Sequence, residues 1–262
     1  MRTALLVMCN ETYKRILVIW DYKFNVLVQL IMVGIIFIGA SFLLGGGQFN
    51  PAQLASLFLG YVVWFYARLV IMGTSGDIIG EAESGTLEQM YMTPAPTEML
   101  ILGHVLATLI TTTIMVLLTA FSLLLILHIS VPFNWEAIPV LALTMVGLFG
   151  FTLTLAGAAL VFKQIEALAD LLQNLLLFLT GSLLPITHFP TWLATIARTL
   201  PITQGIDVLR NVVLTNQSLP QAWANGSLGL LVLNSAIYLI TGWLIFKWCE
   251  RTAKKQGSLS HY

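Results

Sequence analysis

Charge is what this chain has least of. Asp, Glu, Lys and Arg make up 9% of its 262 residues, against roughly a quarter in a soluble domain. Hydrophobic residues make up 58%. A soluble fold of that composition would expose large apolar patches, so an integral membrane protein is expected. Twelve basic residues balance twelve acidic ones, leaving no excess positive charge to attract nucleic acid. Cysteine is nearly absent. Cys9 and Cys249 lie near opposite ends, which excludes a disulfide framework and a thiolate metal site. No G-x-x-x-x-G-K-[ST] segment occurs, so the chain has no loop of its own to cradle ATP phosphates. The first twenty residues hold Arg2, Glu11, Lys14 and Arg15 and lack a clean apolar core. No cleavable leader is expected there, and the first span must direct insertion itself.

Long apolar runs are what the chain does have. A spanning helix needs about 20 apolar residues to cross ~30 Å of hydrocarbon. Six stretches meet that need, near Val26–Leu44, Leu54–Met72, Met99–Leu127, Ile138–Phe162, Leu168–Leu184 and Leu228–Trp248. The third is too long for an upright crossing and is expected to tilt or to project from the membrane. All nine prolines fall at the edges of these runs or between them. Proline costs ~3 kcal/mol inside a helix, so their placement supports the boundaries. The fold expected is all-α, a polytopic bundle of six transmembrane helices over residues 25–262. Before it, residues 1–24 mix Leu5, Leu6, Met8, Ile16 and Leu17 with Asn10, Glu11, Lys14 and Arg15. That pattern suits an amphipathic helix lying in the membrane interface. Of the twelve Lys and Arg residues, all but Arg198 and Arg210 collect on one side of this topology, counting Arg68 as snorkelling to it. The positive-inside rule then places both termini in the cytoplasm. Trp20, Trp64, Tyr66, Trp243 and Trp248 are expected in interfacial belts.

Between the second and third runs stands GEAESGTLEQMYMTPAP, from Gly80 to Pro96. Glu81, Glu83, Glu88 and, just beyond, Glu98 are a third of the chain's twelve acidic residues, and no basic residue answers them locally. Gly85 breaks what precedes it. Thr86 and Gln89 form a possible capping box, and Pro94 and Pro96 stop the helix that follows. The plainer reading is a well-capped connector whose carboxylates suit the positive end of the helix dipole. Yet Leu87, Met90, Tyr91 and Met92 stand beside water inside an acidic collar. A docking element for a basic, grooved partner accounts for both features. A second unusual region, Pro185–Leu214, is too apolar for a loop and too broken for a span. Pro190 and Pro201 divide it into about Thr191–Leu200 and Thr203–Leu214. These suit two half-crossing helices that satisfy their own backbone, or an amphipathic pair lying on the surface. Asp207 and Arg210, three apart, can pair.

The residues Glu81, Glu83, Gly85, Thr86, Leu87, Glu88, Met90 and Pro94 resemble the signature between the second and third spans of type-2 ABC export permeases. A second segment, GSLLPITHFPTWLATIARTLPITQGIDVLR, resembles that family's element between the last two spans. Its matching residues are Gly181, Ser182, Pro185, Pro190, Trp192, Pro201, Thr203, Asp207 and Arg210. The resemblance implies that residues 81–94 form a coupling helix seated in a separate ATP-hydrolysing subunit. It implies two such subunits with two permeases, as a homodimer or with a close relative, in a plasma membrane such as a bacterial inner membrane. ATP and Mg would be held by the partner, and this chain would be a transport subunit with no catalytic residue and no cofactor of its own. Residues 185–214 would be a re-entrant pair gating the exit, with Pro185, Pro190, Trp192, Pro201, Thr203 and Arg210 as its markers.

Polar side chains at membrane depth are costly and tend to face protein or water. Gln29, Gln173 and Asn174 are therefore expected to line a substrate path, with Phe58 and Phe178 giving contact area. Thr108, Thr111–Thr113, Thr152, Thr154 and Asn234 are further candidates, while Gly34, Gly39, Gly147, Gly150 and Gly157 allow close helix approach. No acidic or basic residue occupies a span centre, which argues against a proton-driven antiporter and against sodium extrusion. An intramembrane hydrolase, the rival from another class, lacks its Ser–His or paired-Asp constellation. A path of Thr, Gln, Asn, Leu, Phe and Met suits export of a hydrophobic or amphiphilic compound, drug or lipid-like. Polysaccharide or lipo-oligosaccharide export is the alternative. The polysaccharide branch carries an L-G-x-L-W stretch that WDYKFNVLVQL, before and into the first span, does not contain.

Overall fold

The computed structural model describes residues 23–83, 97–162 and 165–256, with isolated positions at 13, 17 and 21. The expected interface helix over residues 1–24 lies almost wholly outside the described residues. So does the coupling segment from Gly85 to Pro94. Among the described residues the chain is all-α, with no strand. Its helices are α1 (Lys23–Leu44), α2 (Pro51–Glu83), α3 (Thr97–Leu127), α4 (Ala137–Val161), α5 (Glu166–Leu179), α6 (Thr191–Thr199), α7 (Thr203–Leu214), α8 (Leu219–Ala224) and α9 (Ser227–Gln256). Five of them, α1, α2, α3, α4 and α9, are long and apolar enough to cross a membrane.

The stops are local and chemical. α1 ends in Gly45–Gly47, where Gly46 and Gly47 take φ of 64° and 86°, a region that only glycine enters without strain. The Gln53 side chain donates to the freed Leu44 carbonyl at 3.1 Å. α2 then starts on Pro51, whose missing N–H costs nothing at a first helical position. α8 opens with a capping box between Ser218 and Gln221 and has Pro220 in its first turn. The Leu219 N–H donates to Glu136 Oε2 at 2.8 Å, tying α8 to the entry of α4.

α5 differs from expectation. The apolar run to Leu184 suggests a full span, but the helix has 14 residues and ends at Leu179. Gly181 takes φ of 79° there, and the chain turns instead of continuing. Within α5 the buried residues are Ala169, Gln173, Leu176 and Leu177, the i, i+4, i+7, i+8 stripe of a helix with one packed face.

α2 is the hub. It packs on α1, α3, α4, α5 and α7, and 78% of its apolar window is buried, against 17% for α1 and for α9. The core around it holds Phe37, Tyr61, Trp64, Phe65 and Ile71. Trp64 and Tyr66 are therefore not interfacial anchors. Trp64 is 1% exposed and donates its indole N–H to the Gln173 carbonyl at 2.8 Å. Tyr66 is also buried, and its hydroxyl meets Leu109 O at 3.2 Å and Thr113 Oγ1 at 3.1 Å. A tryptophan in mid-span serves packing when its N–H finds a buried acceptor. Arg68 lies over the Trp64 ring with its guanidinium carbon 5.7 Å from the centroid, a cation–π placement.

α4 and α9 form the most extensive helix pair. They approach through small residues. A Cβ on Gly150 would overlap the backbone of Tyr238 and Leu239, and one on Gly242 would overlap the backbone of Gly150. A Cβ on Gly157 would come within 2.9 Å of Phe246 Cα. Ser235 donates across the pair to the Leu143 carbonyl at 3.0 Å. Close backbone approach of this kind gives apolar helices dispersion contacts that lipid cannot match. Gly34 and Gly39 play no such part: the nearest atom to a Cβ on Gly34 is 3.9 Å away, and Gly39 has none within 4 Å.

Candidate functional site

The expected re-entrant segment is built as two short helices, α6 and α7, joined by Leu200–Ile202. Their bounds fall within one residue of the pieces that Pro190 and Pro201 define. They are unequal. α6 buries only Ala197, whereas α7 buries eight of its twelve residues, Arg210 among them. α7 lies against α2, α4 and α9. Gly205 sets its distance from α4, since a Cβ there would overlap the Thr144 side chain.

Arg210 is the polar centre of this region. It is 8% exposed. Its Nε donates to the Ser56 carbonyl on α2 at 3.0 Å, and its Nη2 donates to the Ser182 carbonyl at 3.1 Å. One side chain thereby joins α7, α2 and the turn after α5. Pairing with Asp207 is not how the guanidinium is used: a planar fork reaches two divergent carbonyls better than a neighbour on its own helix. Gly60 makes the junction possible. A Cβ there would overlap Ser182 O and come within 2.9 Å of Ser182 Cα. The turn is braced from inside. Thr180 donates its hydroxyl to the Leu176 carbonyl at 2.5 Å. Its single proton is thus used, and Ser182 is the donor in the 2.7 Å contact between the two hydroxyls. Arg210 Nη1 and Thr203 Oγ1 remain buried without a partner.

The six gate markers therefore divide. Pro201, Thr203 and Arg210 are buried and Pro185 is half-buried, while Pro190 and Trp192 are exposed, Trp192 by 65%. Removing the guanidinium would orphan two carbonyls and leave a void. Arg210→Ala is expected to cost about 3 kcal/mol. Hydrogen exchange should rise at residues 180–184 and 203–214 and stay unchanged at the α4–α9 contact. Equal loosening of both regions would contradict a local clamp.

The residues expected to line a path do not share one surface. Phe58 and Gln173 are buried at 5% and 3%, Gln29 is half-buried, and Asn174 and Phe178 are exposed. The Gln173 amide donates to Asp170 Oδ1 at 2.5 Å, and its own Oε1 is buried without a donor. Asn174 donates back to the Asp170 carbonyl at 2.8 Å. The span threonines turn inward on their own helices. Thr111, Thr152 and Thr154 donate to carbonyls four residues back, Thr154 weakly at 3.4 Å. That habit satisfies a hydroxyl in hydrocarbon without a partner helix. Glu81 and Glu83 lie on the last turn of α2, whose helix ends at Glu83. Gly85, Thr86, Leu87, Glu88, Met90 and Pro94 are outside the described residues. Sequence reading missed Gly60, Ser56 and Thr180. Only the small size of Gly60 within an apolar run signalled a close approach.

The family model described as ABC-2 type transporter matches residues 3–214. The chain belongs to the ABC-2 type transporter family. The match takes in both the acidic segment and the α6–α7 element. As a member of that family it is a membrane-embedded permease subunit. No individual curated protein matches it closely enough to add to that assignment.

Proposed function

We propose that this permease exports a hydrophobic or amphiphilic compound, drug or lipid-like, using ATP hydrolysed by a separate subunit. The observation that carries the reading is the outer face of α5. Leu168, Leu171, Leu175 and Phe178 stand exposed beside two polar side chains one turn apart, Asp170 and Asn174. Such a face is mostly apolar contact area with its polar groups confined to one turn, which fits an amphiphile and leaves most hydroxyls of a long glycan chain unsatisfied. Two permeases, identical or closely related, would face each other across it, each with an ATPase subunit beneath. In this reading α5 and the turn after it complete a sixth crossing, both termini are cytoplasmic, and α6–α7 dips in from the outer side of a plasma membrane such as a bacterial inner membrane. Residues 81–94, opening on the last turn of α2 and not as a separate helix from Glu81, serve as the coupling segment, and ATP with Mg binds the partner. One feature favours the glycan alternative. An outer cleft of about 470 Å³ is lined by the carboxamides of Asn211, Asn216, Gln217, Gln221 and Asn225, groups that pair well with hydroxyls.

The test uses the permease co-purified with its ATPase and reconstituted in vesicles. ATP added to the ATPase side should drive a lipophilic fluorescent dye into the lumen. ATP-driven movement of a lipid-linked glycan with no dye transport would establish the alternative. No ATP-dependent movement of either, with the complex intact, overturns the proposal. Asn174→Ala and Phe178→Ala should change the ranking of transported dyes with unfolding temperature unchanged. Gln173→Ala, which empties a buried site, should lower stability by about 1–2 kcal/mol instead. If all three variants reduce every substrate in proportion to lost stability, α5 is packing and the path lies elsewhere.

A further inference from the structure

We infer that the groove where α6 and α7 meet α9 holds a phospholipid, its phosphate at Arg198 and an acyl chain along the outer face of α9. This rests only on α9 crossing the membrane, not on what the permease carries. The groove has a volume of about 380 Å³. Its polar side is formed by Arg198, Gln204, Asn234 and Tyr238, and its apolar wall by Leu230, Leu233 and Ile237. The wall continues down the helix. Leu230, Leu233, Ile237, Ile240 and Leu244 are each 51–62% exposed, at spacings of three and four that make one stripe.

The polar side is organised yet incomplete. Asn234 Nδ2 donates to the Thr199 carbonyl at 3.2 Å, and the Tyr238 hydroxyl donates to the same carbonyl at 2.8 Å. That oxygen's two lone pairs are both used. Turning the Asn234 amide over would set two oxygens against each other, so its orientation is fixed by the network. Asn234 Oδ1 is then left buried with no donor. Gln204 donates to the Arg198 carbonyl at 3.2 Å, holding the α6–α7 corner in place while the Arg198 side chain stays exposed. Asp207 lies near enough to feel the Arg198 charge, but the two form no ion pair. The groove thus presents a guanidinium for an anion, a buried acceptor for an O–H or N–H, and an apolar stripe. A glycerophospholipid whose headgroup carries a hydroxyl or ammonium supplies all three complements. The stripe selects a lipid over free phosphate, because free phosphate leaves it uncovered.

The test is native mass spectrometry of the purified full chain with added lipids. Phosphatidylglycerol should be retained over phosphatidylcholine, which lacks the donor, and over diacylglycerol, which lacks the phosphate. Arg198→Ala should weaken phosphatidylglycerol binding about tenfold, as loss of one charge-assisted contact requires, and Arg198→Lys should restore most of it. Asn234→Leu should erase the preference over phosphatidylcholine. Equal retention of diacylglycerol, or unchanged binding by Arg198→Ala, overturns the site. So does displacement by millimolar inorganic phosphate, which would mean a free-anion site. Equal retention of all lipids is also what a second copy packed on the stripe would give. The wild-type lipid ranking decides the question even if a variant fails to fold.

Discussion

Gly242→Leu is expected to leave almost no folded protein. The position lies where α9 crosses α4, and even a methyl group there would overlap the Gly150 backbone. Leucine adds a branched side chain where two main chains touch. Neither helix can yield locally, because Gly150, Gly157 and Ser235 hold the same seam on both sides of the crossing. The axes must separate along their length, and the close contacts of the most extensive helix pair go with them. Overpacking typically costs 1–3 kcal/mol, and a backbone overlap stands at or above the upper end, about 3 kcal/mol or more. Membranes that plainly express the parent chain should yield aggregated or degraded product, read by fluorescence-detected size exclusion. Gly229→Leu is the matched control, since a Cβ on Gly229 meets nothing within 4 Å. Similar losses in both variants would mean that leucine at any α9 glycine is harmful and that the seam is not special.

Glu88→Lys is expected to uncouple transport from ATP hydrolysis if the acidic segment docks on the ATPase as proposed. The substitution replaces a carboxylate with an ammonium opposite a surface expected to be basic. Opposed like charges at an interface disfavour the complex, and ~1.4 kcal/mol is enough for a tenfold loss of affinity. Substrate stimulation of ATPase activity should fall about tenfold, with insertion and unfolding temperature unchanged. Glu88→Gln, which removes attraction without adding repulsion, should fall less. Full stimulation in the lysine variant would leave this segment as a connector and nothing more.

Much of the fold was readable because hydrocarbon imposes so few solutions. Helix starts and stops followed from Pro51 and the prolines flanking α6, while the stop at Gly45–Gly47 emerged only from the structure. The uneven failures share one cause: sequence shows what a residue is and not what it meets. Gly147, Gly150 and Gly157 were flagged for close approach, but Gly60, Gly205 and Gly242 do the same work and carry no stronger signal. Trp64 reads as an interfacial anchor until its N–H is seen on Gln173 O. Arg210 reads as the i, i+3 partner of Asp207, yet its two acceptors lie 154 and 28 residues away in sequence. α5 reads as a longer span because nothing in an apolar run announces that Gly181 will turn left-handed. The candidate path suffered most. Polarity alone could not tell Gln173, turned into the bundle, from its neighbour Asn174, turned out of it.

The unbroken length of α2 has a mechanical consequence. Its 33 residues make a rod of about 50 Å at 1.5 Å per residue. Near one end sit Ser56 and Gly60, bolted through Arg210 to α7 and to the turn after α5. At the other end the rod stops at Glu83, already within the acidic segment that starts at Gly80. A tilt of about 5° about its midpoint would carry each end through ~2 Å in opposite directions. Because α2 is helical throughout, a displacement at its Glu83 end would be expected to move the Arg210 junction at the other.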